Sequence, residues 1–322
     1  MRAICLAVIA CLVCTTSAFA DTDKIVMDDL GNTVAVPKEP TRIVSLFGAL
    51  ITVPLFELGA PVVGTTGDLG SISAAGTEWG ITGFRELFGQ SAKDAGLINV
   101  GSSEALDIEA IQALEPDLIV LSDDMRAQAA RLKGLAPIFH IQLLDDQSFG
   151  TNVQERLAAL VGKSTRYEAL RKTYSTRLSI LKTKLVTETK TKSVSAFIVW
   201  DQIYPLTRLS GISQVLHDLE LDLTPISKGD NNLSVPVSSE KLLEFEADLV
   251  LLLGGFGQPD EGEQGTRASL DGIVPGWDRF LPAAREDRLI FMQSTPVISP
   301  SLASANWALD VFEEYLNRNG AK

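Results

Sequence analysis

Short runs of Val, Ile and Leu alternate along the chain with stretches in which apolar residues recur every three or four positions. The runs read as strands buried on both faces and the periodic stretches as amphipathic helices, so the pattern predicts an α/β architecture. Strands are predicted at Arg42–Ser45, Val62–Gly64, Leu118–Leu121, Ile138–Ile141, Val194–Val199, Leu249–Leu253 and Leu289–Met292. Helices are predicted at Ile51–Leu58, Ile108–Leu114, Glu240–Phe245 and Ala303–Asn317. Gly67–Gly76 and Gly254–Gly265, rich in small and polar residues, read as loops.

Val153–Val186 differs from the rest. It has no Pro and only Gly162 among its glycines, and Leu157, Leu160, Tyr167, Leu170, Tyr174, Leu178 and Leu181 recur at mostly helical spacing. It predicts a long amphipathic helix with a break near Gly162, placed to link two lobes. The chain also echoes itself. Glu109 to Leu121 aligns with Glu240 to Leu252, each reading as a helix opened by a glutamate, a turn ending in aspartate (Asp117, Asp248) and a buried strand. Asp107 and Ser238 stand where each helix needs an N-cap. Any helix-turn-strand unit shares part of this pattern; the matched acids favour a duplicated pair of lobes.

The first residues change the picture of location. Arg2, the apolar run Ala3–Val13 and Ala18-Phe19-Ala20 read as a secretory leader cleaved after Ala20. A lipoprotein-type site at Cys11 would leave an apolar stretch of about eight residues, at the low edge for such a leader, and ranks below cleavage after Ala20. All three cysteines (Cys5, Cys11, Cys14) fall inside the leader, so the mature chain offers no disulfide and no thiolate. The net charge of −13 argues against nucleic acid as a partner.

Candidate catalytic chemistry is sparse. There is no nucleophile elbow, no His-containing triad and no zinc motif, and Gly254-Gly-Phe-Gly-Gln lacks the dinucleotide fingerprint. His140 and His217 are the only histidines, and both read as structural, so a transition-metal site built from several His and carboxylates is not expected. An enzyme acting on a small secreted-compartment substrate, and a surface interaction protein, remain as alternatives.

Several segments together are similar to a known family. Arg42-Ile-Val-Ser-Leu, Phe56-Glu-Leu-Gly-Ala-Pro-Val-Val-Gly64, Asn99-Val-Gly-Ser, the stretch from Leu106 to Leu121, the long central helix, Val237-Ser-Ser-Glu-Lys-Leu-Leu and Arg288-Leu-Ile-Phe resemble, in order, class III periplasmic solute-binding proteins. Val53 stands where such proteins commonly carry a glutamate. The resemblance implies two Rossmann-like lobes bridged by a single long α-helix, with the ligand in the cleft between them. The chain then divides into a leader (1–20), an N-terminal lobe (21–150), a linking helix (151–187) and a C-terminal lobe (188–322). It further implies a monomer that carries a ferric siderophore, or haem or cobalamin, to an inner-membrane ABC permease dimer. No cofactor of its own is expected; ferric iron would enter only inside the siderophore.

Ligands of open α/β sheets lie beyond the carboxyl ends of the strands. That rule selects Trp79, Phe84, Arg85, Arg126, Trp200, Tyr204, Arg208 and Phe256 as ligand-binding candidates. Aromatics give flat apolar contact and arginines give fixed donor forks to hydroxamate, carboxylate or catecholate oxygens. Each has a plainer reading, since tryptophans commonly sit in cores and arginines on solvated faces. Tyr204 is also a possible axial ligand for haem. The resemblance further assigns Glu109 and Glu240 to permease docking; helix capping is the simpler role of an acid there.

Overall fold

The computed structural model describes residues 23–67, 79–143, 150–188, 190–206, 210–224, 235–238, 247–258 and 261–319. The expected leader, Arg208, Glu240, the helix expected at Glu240–Phe245 and most of the loop expected at Gly67–Gly76 lie outside these residues.

A hairpin opens the described chain, β1 (Asp23–Met27) with β2 (Thr33–Pro37). The first lobe follows with β3 (Ile43–Leu46), α1 (Val53–Glu57), β4 (Val62–Thr65), α2 (Phe84–Phe88), β5 (Ile98–Asn99), α3 (Ile108–Ala113), β6 (Leu118–Ser122), α4 (Arg126–Leu132) and β7 (Ile138–Ile141). Its sheet is parallel, in the order β5-β4-β3-β6-β7. β3 and β6 are buried at every residue, which is why their sequences are apolar runs rather than alternations.

Between the lobes the chain runs through the short α5 (Asn152–Leu160) and then the long bridging helix α6 (Ser164–Lys182). The break falls at Gly162, which has a φ of +72° and lies so close to the hairpin that a Cβ there would be 2.8 Å from the Lys38 carbonyl oxygen. Only glycine meets both demands. The second lobe holds β8 (Ser193–Val199), β9 (Ile203–Pro205), α7 (Ser210–Asp218), β10 (Asp222–Leu223), β11 (Leu249–Gly254), α8 (Glu263–Ile273), the short α9 (Trp277–Phe280) and α10 (Pro282–Arg285), β12 (Leu289–Gln293) and α11 (Leu302–Asn319). Its sheet runs β10-β8-β11-β12 in parallel, with β9 antiparallel on β8.

The internal echo is geometric. Asp117, leading into β6, accepts from Thr41 N, Thr41 Oγ1 and Arg42 N, just before the partner strand β3. Asp248, leading into β11, accepts from Lys192 N, Ser193 N and Ser193 Oγ at the start of the partner strand β8. Each aspartate fixes the amino end of its neighbour and so sets the register of the two central strands.

Two elements differ from expectation for local reasons. The helix expected at Ile51–Leu58 is a π-turn over Gly48–Thr52 followed by α1, because Pro54 has no N–H to continue one helix and fits only its first turn. The loop expected through Gly265 ends at Gly262; α8 starts at Glu263, whose carboxylate meets Arg267 one turn on at 2.8 Å.

α6 is held to the second lobe's helices. Tyr174 donates to Asp218 at 3.0 Å, and Arg177 reaches Asn306 at 3.1 Å and Glu313 at 3.2 Å. The lobes also meet through a half-buried carboxylate. Glu57 Oε2 at the end of α1 accepts from Gln154 Nε2 of α5 at 2.7 Å and from Ala303 N of α11 at 2.9 Å, while Gln154 Oε1 accepts from Leu302 N at 2.9 Å.

Burial raises the Glu57 carboxyl above its ordinary value, although the Gln154 and Ala303 donors oppose the rise. A raised acid favours the folded state while protonated, so its contribution is full below the ordinary glutamate value of 4.5 and fades as pH rises through the folded value. Glu57→Gln keeps an acceptor for Ala303 N and removes the half-buried charge. Its stability should lie within about 1 kcal/mol of wild type and gain on wild type as pH rises, whereas Glu57→Ala should lose about 1–2 kcal/mol by leaving Ala303 N without its acceptor and Gln154 Nε2 with only Pro54 O at 3.3 Å. Urea titrations between about pH 4 and pH 8 measure this; a Gln variant that falls progressively behind wild type with rising pH contradicts it.

Candidate ligand site between the lobes

The carboxyl ends of β8, β11 and β12 lie side by side, so the segments that follow them form one surface. After β8 the chain turns through Trp200, Asp201 and Gln202 and returns as β9, closed by Trp200 N on Gln202 O at 2.9 Å. After β11 come Gly255 and Phe256. Gly255 approaches the indole so closely that a Cβ there would sit 2.6 Å from Trp200 Cδ1, so this position admits only glycine. Trp200 and Phe256 meet edge to face, centroids 6.5 Å apart at 86°. Trp200 remains 48% exposed, a large apolar surface left open at strand ends.

Tyr204 lies on the same β8–β9 hairpin. Its ring rests on the main core and its hydroxyl donates to Asp201 Oδ1 at 2.9 Å. That bond, with some burial, raises the phenol above its ordinary value. Thus Trp200, Tyr204 and Phe256 are gathered at one edge of the second lobe.

In the first lobe Trp79 is half-buried beside the end of β4, where a Cβ on Gly67 would lie 3.7 Å from its Cβ. Arg85 and Arg126 are both exposed; Arg126 Nε donates to Asp123 O at 3.2 Å. Phe84 is a correction. Its ring is 1% exposed and packs on Phe56 and Phe88 at centroid distances of 4.7 and 4.8 Å, so it is core and has no surface to offer a ligand. The signal for this was present: Phe84, Leu87 and Phe88 have helical spacing and close a core stripe.

Sequence reasoning missed the polar groups that shape the surface. Asp201 fixes Tyr204. Glu261 accepts from Gly257 N, Ser294 Oγ and Thr295 N at 2.8, 3.1 and 2.9 Å. On the floor of the first lobe, Thr52 Oγ1 lies 2.6 Å from both Ser45 Oγ and Thr65 Oγ1, a buried hydroxyl chain across β3 and β4. The two lobes touch at this end of the strands, where a Cβ on Gly83 would lie 2.6 Å from the Thr295 carbonyl oxygen.

His140 is structural. Nδ1 lies 2.8 Å from Asp28 Oδ2, tying β7 to the hairpin. Burial works to raise the Asp28 carboxyl, but bonds from the side chain and backbone of Asn32 and from His140 outweigh it and hold it below its ordinary value. Among the described residues no group of three or more His, Cys, Asp or Glu could hold a metal ion, and no helix is long and apolar enough to cross a membrane.

Residues 76–296 match the periplasmic binding protein family. The chain belongs to that family. The family and the similar solved structures are substrate-binding proteins. No curated protein matches the chain. Among solved structures, SirA of Staphylococcus aureus, complexed with staphyloferrin B, is similar with a TM-score of 0.67 at 16% identity, over 92% of this chain and 98% of its own. FhuD of S. pseudintermedius gives 0.67 at 19% identity, over 91% and 98%. The petrobactin-binding protein YclQ of Bacillus subtilis gives 0.65 at 17% identity, over 91% and 98%. These likenesses establish the fold of this periplasmic binding protein as the two-lobed class III architecture with one bridging helix.

Proposed function

We propose that the chain captures a ferric siderophore, of hydroxamate or carboxylate type, in the cleft between its lobes and delivers it to an inner-membrane ABC permease dimer. In this reading the leader is cleaved after Ala20, the mature protein works in the periplasm as a monomer, and the lobes span 21–150 and 188–322 with 151–187 between them. The exposed Trp200, set against Phe256 where β8 and β11 end, carries the proposal. An apolar platform suits a ligand that brings its own oxygen shell for the iron and needs only its outside recognised. The matches to proteins solved with staphyloferrin B or described as petrobactin-binding support the ligand class.

Haem through Tyr204 is the weaker reading. An axial phenolate needs a lowered phenol, and the bond to Asp201 raises this one.

Titrating the mature protein with ferric hydroxamates, ferric citrate-type carboxylates, ferric catecholates, haem and cobalamin, read by tryptophan fluorescence, tests the proposal. One ferric siderophore class should quench the emission at a stoichiometry of one, and Trp200→Ala should weaken that binding about tenfold or more. Binding of haem alone, or of bare zinc in preference to every chelate, overturns it.

A further inference from the structure

Glu261 stands in the segment between β11 and α8, and both of its carboxylate oxygens are used. Oε1 accepts from Gly257 N at 2.8 Å and from Thr295 Oγ1 at 2.5 Å; Oε2 accepts from Thr295 N at 2.9 Å and from Ser294 Oγ at 3.1 Å. Gly257 follows Phe256, the partner of Trp200. Thr295 presents the carbonyl that meets Gly83 of the other lobe. One carboxylate therefore joins the segment carrying the aromatic surface to the segment carrying the contact between lobes. Charge-assisted bonds of this kind hold two loops in one geometry more firmly than neutral ones.

We propose that Glu261 is a positioning residue of the ligand site: it locks the segments after β11 and β12 into one rigid unit, so that the Trp200–Phe256 surface is set before the ligand arrives. The proposal rests on the binding reading above. It assigns Glu261 no contact with ligand or iron, because its acceptor capacity is already taken up by protein donors. Preorganised loops bind more tightly because their ordering is not charged to the ligand.

The experiment compares wild type, Glu261→Gln and the milder Thr295→Ala. Amide exchange is followed at Gly257 and Thr295 in the free protein, and affinity for ferrioxamine B and ferric dicitrate is measured alongside the melting temperature. Glu261→Gln puts an amide NH2 against donors and should speed exchange at both amides. It should also weaken whichever ferric complex wild type binds by about tenfold, with the melting temperature changed only slightly. Thr295→Ala, losing one bond, should fall between. Unchanged exchange at both amides overturns the lock. Faster exchange with unchanged affinity overturns the positioning role while leaving the siderophore reading intact. Wild-type protein that binds neither complex overturns the siderophore reading and the positioning role together.

Discussion

Cells whose only copy of this protein carries both Glu109→Ala and Glu240→Ala should lose ferric siderophore uptake almost completely, while the purified double variant keeps wild-type ligand affinity. Glu109 is exposed in the first turn of α3, whose N-cap is already made by Asp107 accepting from Ala110 N at 2.9 Å. The helix therefore does not need Glu109 as a cap, and its removal should cost only the dipole contribution, about 0.3–1 kcal/mol. Glu240 lies outside the described residues; in the sequence it opens the second copy of the echo as Glu109 opens the first, eight residues before Asp248. That aspartate holds the start of β8 in the same way that Asp117 holds the chain entering β3. Two equivalent acids on two lobes can meet two equivalent subunits of a symmetric permease, and complementary charge would steer and orient the docking. Each single variant should retain partial uptake. Normal transport by the double variant would return Glu109 to a helix-terminal role and move the docking surface elsewhere.

The parts of the fold legible in the sequence are those where burial leaves no choice of residue. β6 and β11 are covered on both faces, so their continuous apolar runs name them directly. The break at Gly162 was legible because a lone glycine in a periodic stretch marks a positive φ or a close approach, and here it marks both. The opening hairpin was illegible because its alternation is inverted. Lys24 points inward, where Nζ donates to Ala159 O at 2.6 Å and burial lowers its pKa, while Ile25 and Met27 face outward. β5 and β10 have two residues each, too few for any period to show.

The candidate site was less legible, for a physical reason. The rule that ligands lie past the carboxyl ends of strands selects segments, not side chains. Within those segments Phe84 and Trp200 look alike in sequence, yet one closes a three-ring core and the other stands open against Phe256. Glu261 carried no signal, since it is one acid among many in a loop of small and polar residues. Its role comes from Ser294 and Thr295, more than thirty residues away.

The contact between the lobes at the cleft leads to a matched pair of substitutions around α2. Gly83 and Gly89 flank this helix, both in the left-handed region, with φ of +77° and +70°. An alanine at either pays the left-handed penalty, about 1–2 kcal/mol. The surroundings differ. A Cβ on Gly89 meets nothing within 4 Å, whereas one on Gly83 lies 2.6 Å from Thr295 O and 3.3 Å from Pro296 Cα, backbone atoms of the other lobe. Neither neighbour can rotate away as a side chain would, so the lobes must separate or α2 must shift. Gly89→Ala should cost about 1 kcal/mol and leave ligand affinity near wild type. Gly83→Ala should cost about 2–4 kcal/mol, the left-handed penalty joined by overpacking, and weaken ligand binding by more than tenfold. Because the two variants share the dihedral term, their difference in urea stability and in affinity reports the contact alone. Equal losses in both assays would mean that Gly83 is required only for its φ and that the lobes do not bear on each other at Thr295.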